Sequence, residues 1–466
     1  MSRPQGWRRS NMSFKRIVML LGLVLTVAVS VQIQVPVRTI VNNSIGMALT
    51  GDIGSFGYGS EPAYADSSPQ ATMELAPAPK PYLRSGHPVE WWVVFKFNSA
   101  IFPGCGGNAQ RECIFGGAVQ TYSGGYSQQY VYASNENPVL QKGAGCIGDT
   151  LKDPVGTTFE QIYTNSYYYV IWNDQFYGDP PIDGCTDGVC YGPWGHSKGM
   201  VAWDETGNGM VMQVSTPSWP ASGSDSWPRL YDGNTLGCVY DDNVEVSQHF
   251  FALKLDKNDL VKVLQALQNA SVVTDPTNPQ IVRNGGPSDI QGLVAQLGKL
   301  SQSTTFMHFR LSTGIELISK PSDLYVPPWQ MVSAVLHGLP LRTATWWADP
   351  QIYSTDRSTK IGCWDASLSA PGPVEIAITG QWDRQIFGLE GILPNGNHAK
   401  IGVSTDPDRP VAIFGDMNQQ GALSGPNCQS SQNGRGGTFY AVECRRLHDS
   451  LANLIKGQTA GLAQGN

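Results

Sequence analysis

The sequence predicts an α/β protein built from two pseudo-symmetric halves, with the functional site between them. Strand-like and helix-like segments alternate in both parts of the chain. A stretch rich in Pro, Asn and Gly, residues 275–287, separates the two parts. Each part also contains one His-x-Lys pattern, so the same chemistry is expected from both. The length of 466 residues leaves room for two domains of ordinary size.

The composition favours a globular protein with many turns. The chain contains 52 Gly and 31 Pro, and charged residues make up only 15%, against about 25% in average globular proteins. These values exclude a coiled coil, a helical repeat array and a disordered chain. The 31 basic and 38 acidic residues give a formal net charge of −7, so no basic excess indicates a nucleic-acid partner.

The N-terminus has the pattern of an export signal. Five basic residues precede an apolar run, Ile17–Val31, that is too short for a standard membrane span of about 20 residues. We therefore predict a signal peptide at 1–30 and a flexible leader, rich in Ser, Gly, Ala and Pro, at 31–80. The alternative is an uncleaved anchor. No later segment is apolar enough to span a membrane, so we expect a secreted or periplasmic protein without membrane contact after signal removal.

The cysteines are compatible with export. There are nine, and an exported chain of this size can hold several disulfides. The closely spaced pairs Cys105/Cys113 and Cys185/Cys190 are candidates for local disulfides. An odd total leaves at least one thiol free or paired between two chains, so a homodimer stays an option.

The first half is predicted at 81–274 and contains strands followed by a helix. Aromatic and β-branched runs predict the strands Glu90–Phe97, Tyr167–Trp172, Gly199–Trp203 and Met210–Val214. Apolar residues with helical spacing predict a helix that includes Leu260, Val261, Leu264 and Leu267.

The second half is predicted at 288–456, followed by a tail at 457–466. Helical spacing extends from Ile290 to Leu300, with Ser288 as the N-cap. Strands are predicted at His308–Leu311, Ile315–Ile318 and Val374–Ile378. A last helix is predicted around Leu447, Leu451, Leu454 and Ile455.

The two His-x-Lys patterns are the candidate catalytic residues. His196 and Lys198 in the first half, and His398 and Lys400 in the second, are each followed by five residues and an Asp. Each pattern should begin one arm of a β-hairpin, and residues i and i+2 of a strand point to the same face. If the halves pack about a two-fold axis, the four side chains converge. They would then supply a nucleophile, an acid and two cations for a phosphoryl group.

A metal or other cofactor is not expected. The sequence contains no clustered His, Cys, Asp and Glu ligands and no H-E-x-x-H pattern. The remaining histidines lack the doubled setting and are predicted to be structural or exposed.

The doubled motif resembles the phospholipase D superfamily, and the wider sequence resembles the deoxyribonuclease II family. The stretches that match are Pro88–Lys96, Asn173–Gln175, Gly195–Gly199, Ser226–Pro228, Thr235–Cys238, His398–Lys400, Gly415–Asn418 and Arg435–Thr438. The resemblance implies two phospholipase D-like halves, each a mixed sheet flanked by helices, with the active site between them. It also implies metal-independent hydrolysis of DNA at acid pH, which leaves 3′-phosphate and 5′-hydroxyl ends.

The resemblance also implies roles for individual residues. His196 would be the nucleophile that forms a phosphohistidine, and His398 would be the general acid. Asn418 matches a phosphate-binding Asn of the superfamily, and Arg435 is a second candidate for substrate binding. Cys363 and Cys444 could correspond to a disulfide of the second half.

Two other functions use the same sequence features. A phospholipase D-like phosphodiesterase that acts on RNA or phospholipid would need the same His and Lys residues. A non-catalytic extracellular DNA-binding protein would use the 13 Trp and 18 Tyr residues for stacking. The intact pair of motifs argues against lost catalysis.

Overall fold

The computed structural model describes residues 77–98, 129–144, 147–148, 151–230, 246–391 and 396–463. They belong to one compact unit, 73–466. The predicted signal peptide lies outside the described residues, as do Cys105, Cys113, Cys146 and Cys238. Over the part of the chain that is described, no helix is both long enough and apolar enough to cross a bilayer.

The first half is organised around an eight-stranded sheet with the order β10-β6-β7-β8-β9-β3-β4-β5. Its strands, with the small β1–β2 hairpin, are β1 Tyr82–Arg84, β2 His87–Pro88, β3 Trp91–Lys96, β4 Tyr130–Ser134, β5 Gln141–Lys142, β6 Tyr168–Asn173, β7 Lys198–Trp203, β8 Gly209–Val214, β9 Gln248–Leu255 and β10 Val282–Arg283. The helices that accompany it are α1 Pro154–Tyr163, α2 Lys257–Asn269 and α3 Ser288–Val294. Neighbouring strands of this sheet are antiparallel.

The second half is organised around a seven-stranded sheet with the order β11-β12-β19-β18-β17-β13-β14. Its strands, with the separate β15–β16 hairpin, are β11 Met307–Arg310, β12 Glu316–Lys320, β13 Leu341–Ala344, β14 Val374–Ile376, β15 Thr379–Trp382, β16 Gln385–Gly388, β17 Ile401–Ser404, β18 Val411–Gly415 and β19 Gly437–Glu443. The helices are α4 Pro328–Val335 and α5 Arg445–Leu454. The pair β13–β14 is parallel and the other neighbours are antiparallel, so this sheet is mixed.

The two sheets share one connectivity in their central strands. In the first half the chain passes through β3, α1, β6, β7, β8, β9 and α2, and in the second through β12, α4, β13, β17, β18, β19 and α5. The spatial order is also the same, β6-β7-β8-β9-β3 in one sheet and β13-β17-β18-β19-β12 in the other. The predicted α/β class with two halves is confirmed, whereas the detailed phospholipase D-like symmetry stays a prediction.

The two sheets pack on each other through aromatic residues that belong to these central strands. Phe251 of β9 stacks on Phe414 of β18, with ring centroids 4.8 Å apart, and contacts Tyr440 of β19 at 5.3 Å. All three side chains are fully buried or nearly so. Burial of large aromatic surfaces is strongly favourable, so this contact fixes β9 of one half against β18 and β19 of the other.

Both motifs begin hairpins, as predicted. β7 pairs with β8, and β17 pairs with β18, in antiparallel register. Lys198 is the first residue of β7, whereas Lys400 directly precedes β17. The other predicted strands and the helices α2 and α5 are also present at the expected places.

The helix predicted from Ile290 to Leu300 is shorter than expected. α3 ends at Val294, and its N-cap is Pro287, so Ser288 is the first helical residue and not the cap. Gly298 has a left-handed φ of +68°, which a continued helix does not allow. Leu297 is buried after the helix has ended, which explains why the apolar spacing continues.

The predicted boundary and tail both contribute to the sheets. The stretch 275–287 contains β10, which pairs with β6 in the first sheet. In the tail, the Ala460 N–H donates to the carbonyl of Ile376 in β14. The predicted domain limits themselves stay predictions.

Candidate functional site

The two motifs are each anchored to the opposite half of the molecule. The backbone N–H of His196 donates to the carbonyl of Gly436, directly before β19, at 2.8 Å. The backbone N–H of His398 donates to the carbonyl of Ser247, directly before β9, also at 2.8 Å. The structure therefore places both histidines where the two sheets meet.

The charges of the motifs also act across this boundary. Lys400 contributes to a lowered pKa of His196, and Lys198 contributes to a lowered pKa of His398. In both histidines the largest cause is burial, followed by the lysine of the same motif. The four predicted catalytic side chains thus form one cluster.

Lys198 is held by a buried carboxylate. Its ammonium donates to Oδ1 of Asp174 at 2.5 Å, and Asp174 directly follows β6. The other oxygen, Oδ2, accepts from Nη2 of Arg435 at 2.9 Å. Burial alone would raise the pKa of Asp174, but Lys198, the nearby His196 and Arg435 hold it well below its usual range. Asp174 is therefore ionised and partly neutralises the first motif.

The imidazole of His196 has one defined orientation. Its Nδ1 lies 2.7 Å from the backbone carbonyl oxygen of Asp416. Because a carbonyl can only accept, Nδ1 carries the proton, and the lone pair of a neutral ring is on Nε2. Its lowered pKa keeps the ring neutral. A neutral His196 can therefore use Nε2 to accept a proton or to attack an electrophile.

The carboxyl group of Asp416 links the first motif to β19. Its Oδ2 accepts from Oγ of Ser197 at 2.7 Å, and from the N–H and Oγ1 of Thr438 at 2.8 and 2.7 Å. Its Oδ1 has no partner among the described residues. Burial raises the pKa of Asp416 to about 6 in spite of these hydrogen bonds. Asp416, whose carbonyl orients His196, therefore also bonds to Ser197, the next residue of the motif, and to Thr438 of β19.

The second motif has different surroundings. The Lys400 ammonium donates to the backbone carbonyl of His398 at 2.5 Å and makes no ion pair with a described residue. The backbone N–H of Lys400 donates to Nδ1 of the buried His249 at 3.1 Å. Burial, and then the charge of Lys198, lowers the pKa of Lys400 to about 7. Lys400 is therefore the motif cation whose charge is not neutralised by a carboxylate.

His398 is positioned by packing. Its ring lies edge-to-face with Trp346, with centroids 4.3 Å apart. Its imidazole makes no hydrogen bond with any described residue, in contrast to that of His196. Both ring nitrogens are therefore available for proton transfer.

The side chains of Arg435 and Asn418, the two predicted substrate-binding residues, bond to other residues of the protein. Arg435 donates from Nε to the carbonyl of Trp194 at 2.9 Å, and from Nη2 to those of Cys190 and Gly195 at 2.6 and 2.9 Å. These bonds hold the loop that precedes His196. Asn418 donates from Nδ2 to a glutamine, while its Oδ1 has no partner among the described residues. Phosphate binding by either residue stays a prediction.

An open cleft adjoins this cluster on the side of Arg435. It has a volume of about 680 Å³ and is lined by both halves, including Tyr191, Tyr325 and Gln432. Of the candidate site residues, Arg435 lines the cleft and the four motif residues do not. The Gln432 Oε1 accepts the backbone N–H of Asn418 at 3.3 Å. Within the described residues, no group of three or more His, Cys, Asp or Glu side chains could hold a metal ion.

One disulfide prediction is confirmed and one is wrong. Cys185 pairs with Cys190 in the loop before the first motif. Cys363 pairs with Cys428, with Cα atoms 5.1 Å apart, and not with Cys444. Cys444 caps the N-terminus of α5 and is free.

Sequence reasoning missed four residues of the site: Asp174, Ser197, Trp346 and Asp416. The sequence did contain a signal for Asp174 and Asp416. Each is an acidic residue that directly follows a buried strand, in a stretch that resembles the family. Their partners lie far away in the sequence, so the pattern alone could not assign them. Nothing in the sequence distinguished Trp346 from the other tryptophans.

Comparisons with known proteins agree with the predicted resemblance. A profile of the family Deoxyribonuclease II matches residues 80–323, which is more than half of the chain and includes the first motif. Deoxyribonuclease-2-alpha of Rattus norvegicus is 30% identical over 167 residues, or 34% of this chain. The aligned part spans 40% of the length of that relative. On the extent of the profile match, the chain belongs to the deoxyribonuclease II family.

Proposed function

We propose that this protein hydrolyses DNA at acid pH without a metal ion, through a covalent intermediate on His196. The observation that supports this most is the contact of His196 Nδ1 with the carbonyl of Asp416, because it leaves the lone pair of a neutral ring on Nε2. A weakly basic, fixed imidazole in one cluster with a second imidazole that has no hydrogen bond to a described residue suits nucleophilic and acid roles.

The proposed first step forms one bond and breaks another. Nε2 of His196 attacks the phosphorus, and the bond from phosphorus to the 5′-oxygen breaks. Protonated His398 gives its proton to that leaving oxygen. In the second step His398 takes a proton from water, the water oxygen attacks the phosphorus, and the bond from phosphorus to Nε2 of His196 breaks. The products are a 3′-phosphate and a 5′-hydroxyl, and both histidines return to their starting forms.

The lysines would stabilise the charge on the phosphoryl oxygens. Lys400 has no carboxylate partner among the described residues, so its charge is available to the substrate, whereas Asp174 shares that of Lys198. Charge stabilisation in the transition state affects turnover more than ground-state affinity. We therefore expect Lys400 to make the larger contribution.

Acid pH follows from the same groups. The pKa of Lys400 is about 7, so its ammonium is charged below that value. The pKa of His398 is lowered well below its ordinary value, so only an acidic medium supplies the required proton. A lower pH also reduces the negative charge of an acidic protein and its repulsion of DNA.

DNA is the proposed substrate because the chain belongs to the deoxyribonuclease II family and its rat relative is named as a deoxyribonuclease. The described site contains nothing that requires a 2′-hydroxyl, since the nucleophile comes from the protein. RNA and phospholipid are therefore the rival substrates. The two disulfides among the described residues and the signal-like N-terminus support a secreted or periplasmic location.

The decisive assay offers plasmid DNA, RNA and a phosphatidylcholine emulsion, each with EDTA, at pH 5 and pH 7.5. We expect cleavage of DNA alone, faster at pH 5. The variants Lys198→Met and Lys400→Met should lose turnover, while Lys254→Met, an exposed lysine on β9, is the matched control. Loss of wild-type activity in EDTA, restored by magnesium, would refute the metal-free mechanism. Binding of DNA without cleavage would favour the non-catalytic alternative.

The covalent intermediate can be trapped with an end-labelled oligonucleotide. Quenching in alkali preserves phosphohistidine, and peptide mapping then identifies the labelled residue. We expect the label on His196. A label on His398 would reverse the two roles, and no label on either would favour direct attack by water.

A further inference from the structure

Two buried lysines outside the motifs occupy equivalent places in the two halves. Lys96 is the last residue of β3, and Lys320 is the last residue of β12. β3 and β12 are the strands next to β9 and β19, respectively. Lys96 is 2% exposed and Lys320 is 0% exposed. Neither has a role in the mechanism described above.

Lys96 holds the segment that receives the second histidine. Its Nζ donates to the carbonyl of Val246 at 2.6 Å and to that of Phe97 at 3.2 Å. Val246 is followed by Ser247, whose carbonyl accepts the N–H of His398 at 2.8 Å. The Lys96 ammonium therefore bonds to the residue directly before Ser247, and Ser247 binds His398 of the other half.

Lys320 holds the segment that receives the first histidine. Its Nζ donates to the carbonyls of Asn433, Arg435 and Pro321 at 2.7, 2.9 and 3.2 Å. Arg435 is followed by Gly436, whose carbonyl accepts the N–H of His196 at 2.8 Å. The arrangement around Lys96 is thus repeated with the two halves exchanged.

An ammonium group is a costly way to fix a backbone segment. Burial lowers the pKa of both Lys96 and Lys320 to about 7, which reflects the loss of water around the charge. A neutral residue would fill the same volume without that loss. The charge of Lys96 also contributes to the lowered pKa of His398. This cost is explained if the ammonium groups act on the histidines.

We propose that Lys96 and Lys320 are positioning residues that act across the two halves, Lys96 on His398 and Lys320 on His196. Each ammonium fixes the carbonyl segment to which the histidine of the other half is bonded, and Lys96 also adds positive charge near His398. The chemical role of each pair, attack for His196 and proton transfer for His398, rests on the proposed function. The pairing of each lysine with one histidine does not rest on it, because the pairing depends only on the contacts.

The pairing is tested by nuclear magnetic resonance on protein labelled at histidine ¹³Cε1. The chain has seven histidines, so the signals of His196 and His398 can be assigned from alanine variants. Lys96→Met should shift the His398 signal and leave that of His196 in place, and Lys320→Met should do the opposite. Shifts of both signals in both variants, or of neither, would overturn the proposal. Lys254→Met, the exposed lysine on β9, should shift neither.

The chemical consequence is tested by comparing DNA with bis(4-nitrophenyl) phosphate, whose leaving group needs little protonation. Lys320→Met should lower kcat to the same extent on both substrates, by up to about 10²-fold, because it displaces the nucleophile. Lys96→Met should lower kcat on DNA, but it should have much less effect on the initial burst of nitrophenolate from the aryl diester, which reports the first step alone. KM should change little in either variant. An equal loss of kcat on DNA and of the burst on the aryl diester in both variants would contradict the proposed roles, since it indicates a smaller folded fraction.

Glutamine variants keep the test decisive if a methionine variant does not fold. Lys96→Gln and Lys320→Gln retain a hydrogen-bond donor but remove the charge. Selective histidine shifts in these variants support the proposal, and their absence overturns it. If the wild-type protein cleaves neither substrate, the proposed function fails, but the resonance experiment still decides the pairing.

Discussion

The first and second motifs have the same spacing but unlike neighbours. Lys198 donates to the buried carboxylate of Asp174, whereas Lys400 donates to a backbone carbonyl. Asn173 pairs with Lys198 in the first sheet, and Asp174 is the residue that follows Asn173 in the chain. By the register of β13 with β17, Trp346 has the equivalent place beside Lys400. A carboxylate in one half is thus replaced by an indole in the other.

The histidines differ in the same way. His196 is bonded through Nδ1 to a carbonyl, and His398 makes only a ring contact with Trp346. Ser197 donates to Asp416, while Ala399 at the equivalent place has no hydroxyl group. The repeated motif therefore determines where the groups are, and in the proposed mechanism the unrepeated neighbours determine which group attacks and which transfers a proton.

Removal of each histidine should give the largest effects and the clearest difference between the motifs. His196→Ala should abolish turnover on DNA and on bis(4-nitrophenyl) phosphate, because no nucleophile remains. His398→Ala should cost about 10²–10⁴-fold on DNA, the usual contribution of general acid catalysis. It should still release an initial burst of nitrophenolate from the aryl diester, because only hydrolysis of the intermediate then lacks its base. Steady-state kinetics on DNA and pre-steady-state kinetics on the aryl diester check this. Equal losses of the burst on the aryl diester would show that the two histidines share one role.

Asp174→Asn should make the first motif resemble the second. It leaves the buried Lys198 and Arg435 without their carboxylate, and breaking a buried pair costs about 3–5 kcal/mol. We expect this loss in the free energy of unfolding, measured with urea at pH 7, together with reduced kcat. The exposed Asp225→Asn serves as the control. Unchanged stability would mean that Asp174 does not neutralise the first motif.

The pH dependence should separate the two lysines. The pKa of Lys400 is about 7, so its charge is complete below that value and is lost as the pH rises through it. Because His398 must also be protonated, we expect kcat/KM on DNA to fall already below pH 7, and by about a further tenfold for each pH unit above 7. Lys400→Arg retains its charge and should flatten this limb between pH 7 and 9, whereas Lys198→Arg should not. An alkaline limb that is as steep in Lys400→Arg as in the wild type would assign it to another group.

Ser197→Ala should give the smallest effect, since it only copies the residue at 399. It removes one of three hydrogen bonds to Asp416 and leaves Nε1 of Trp172 without its acceptor, at 2.8 Å in the structure. A buried donor left unpaired costs about 1–3 kcal/mol. Thermal unfolding measures this loss, with the exposed Ser226→Ala as control. A loss above that range would indicate that Ser197 also supports the orientation of His196.

Local patterns were sufficient to predict much of the fold. The hairpins that follow both motifs, the helix α2 and the aromatic strand β3 depend on side-chain periodicity and turns within a few residues. The end of α3 was predicted wrongly because Leu297 continues the apolar spacing after the helix has ended. Periodicity reports burial, and a buried residue need not be helical.

The site was predictable only as far as the motif is repeated. The convergence of the four side chains was expected from symmetry, and the structure brings them together. The partners that make them unequal could not be predicted, since Asp416 acts on His196 from 220 residues away. Likewise Arg435 was expected to bind substrate, but it bonds to Asp174 and to the loop before the first motif. Such contacts depend on how the sheets pack and leave no spacing in the sequence.

The backbone hydrogen bonds that anchor each motif to the opposite half determine when the site can form during translation. A ribosome completes His196 and Lys198 long before it reaches Asp416 and Gly436, which orient and anchor that histidine. A nascent or prematurely ended chain therefore has the first motif but no aligned nucleophile. The proposed nuclease site is thus complete only after β18 and β19 have been made and docked, by which time the predicted export signal at the N-terminus has long been available for recognition.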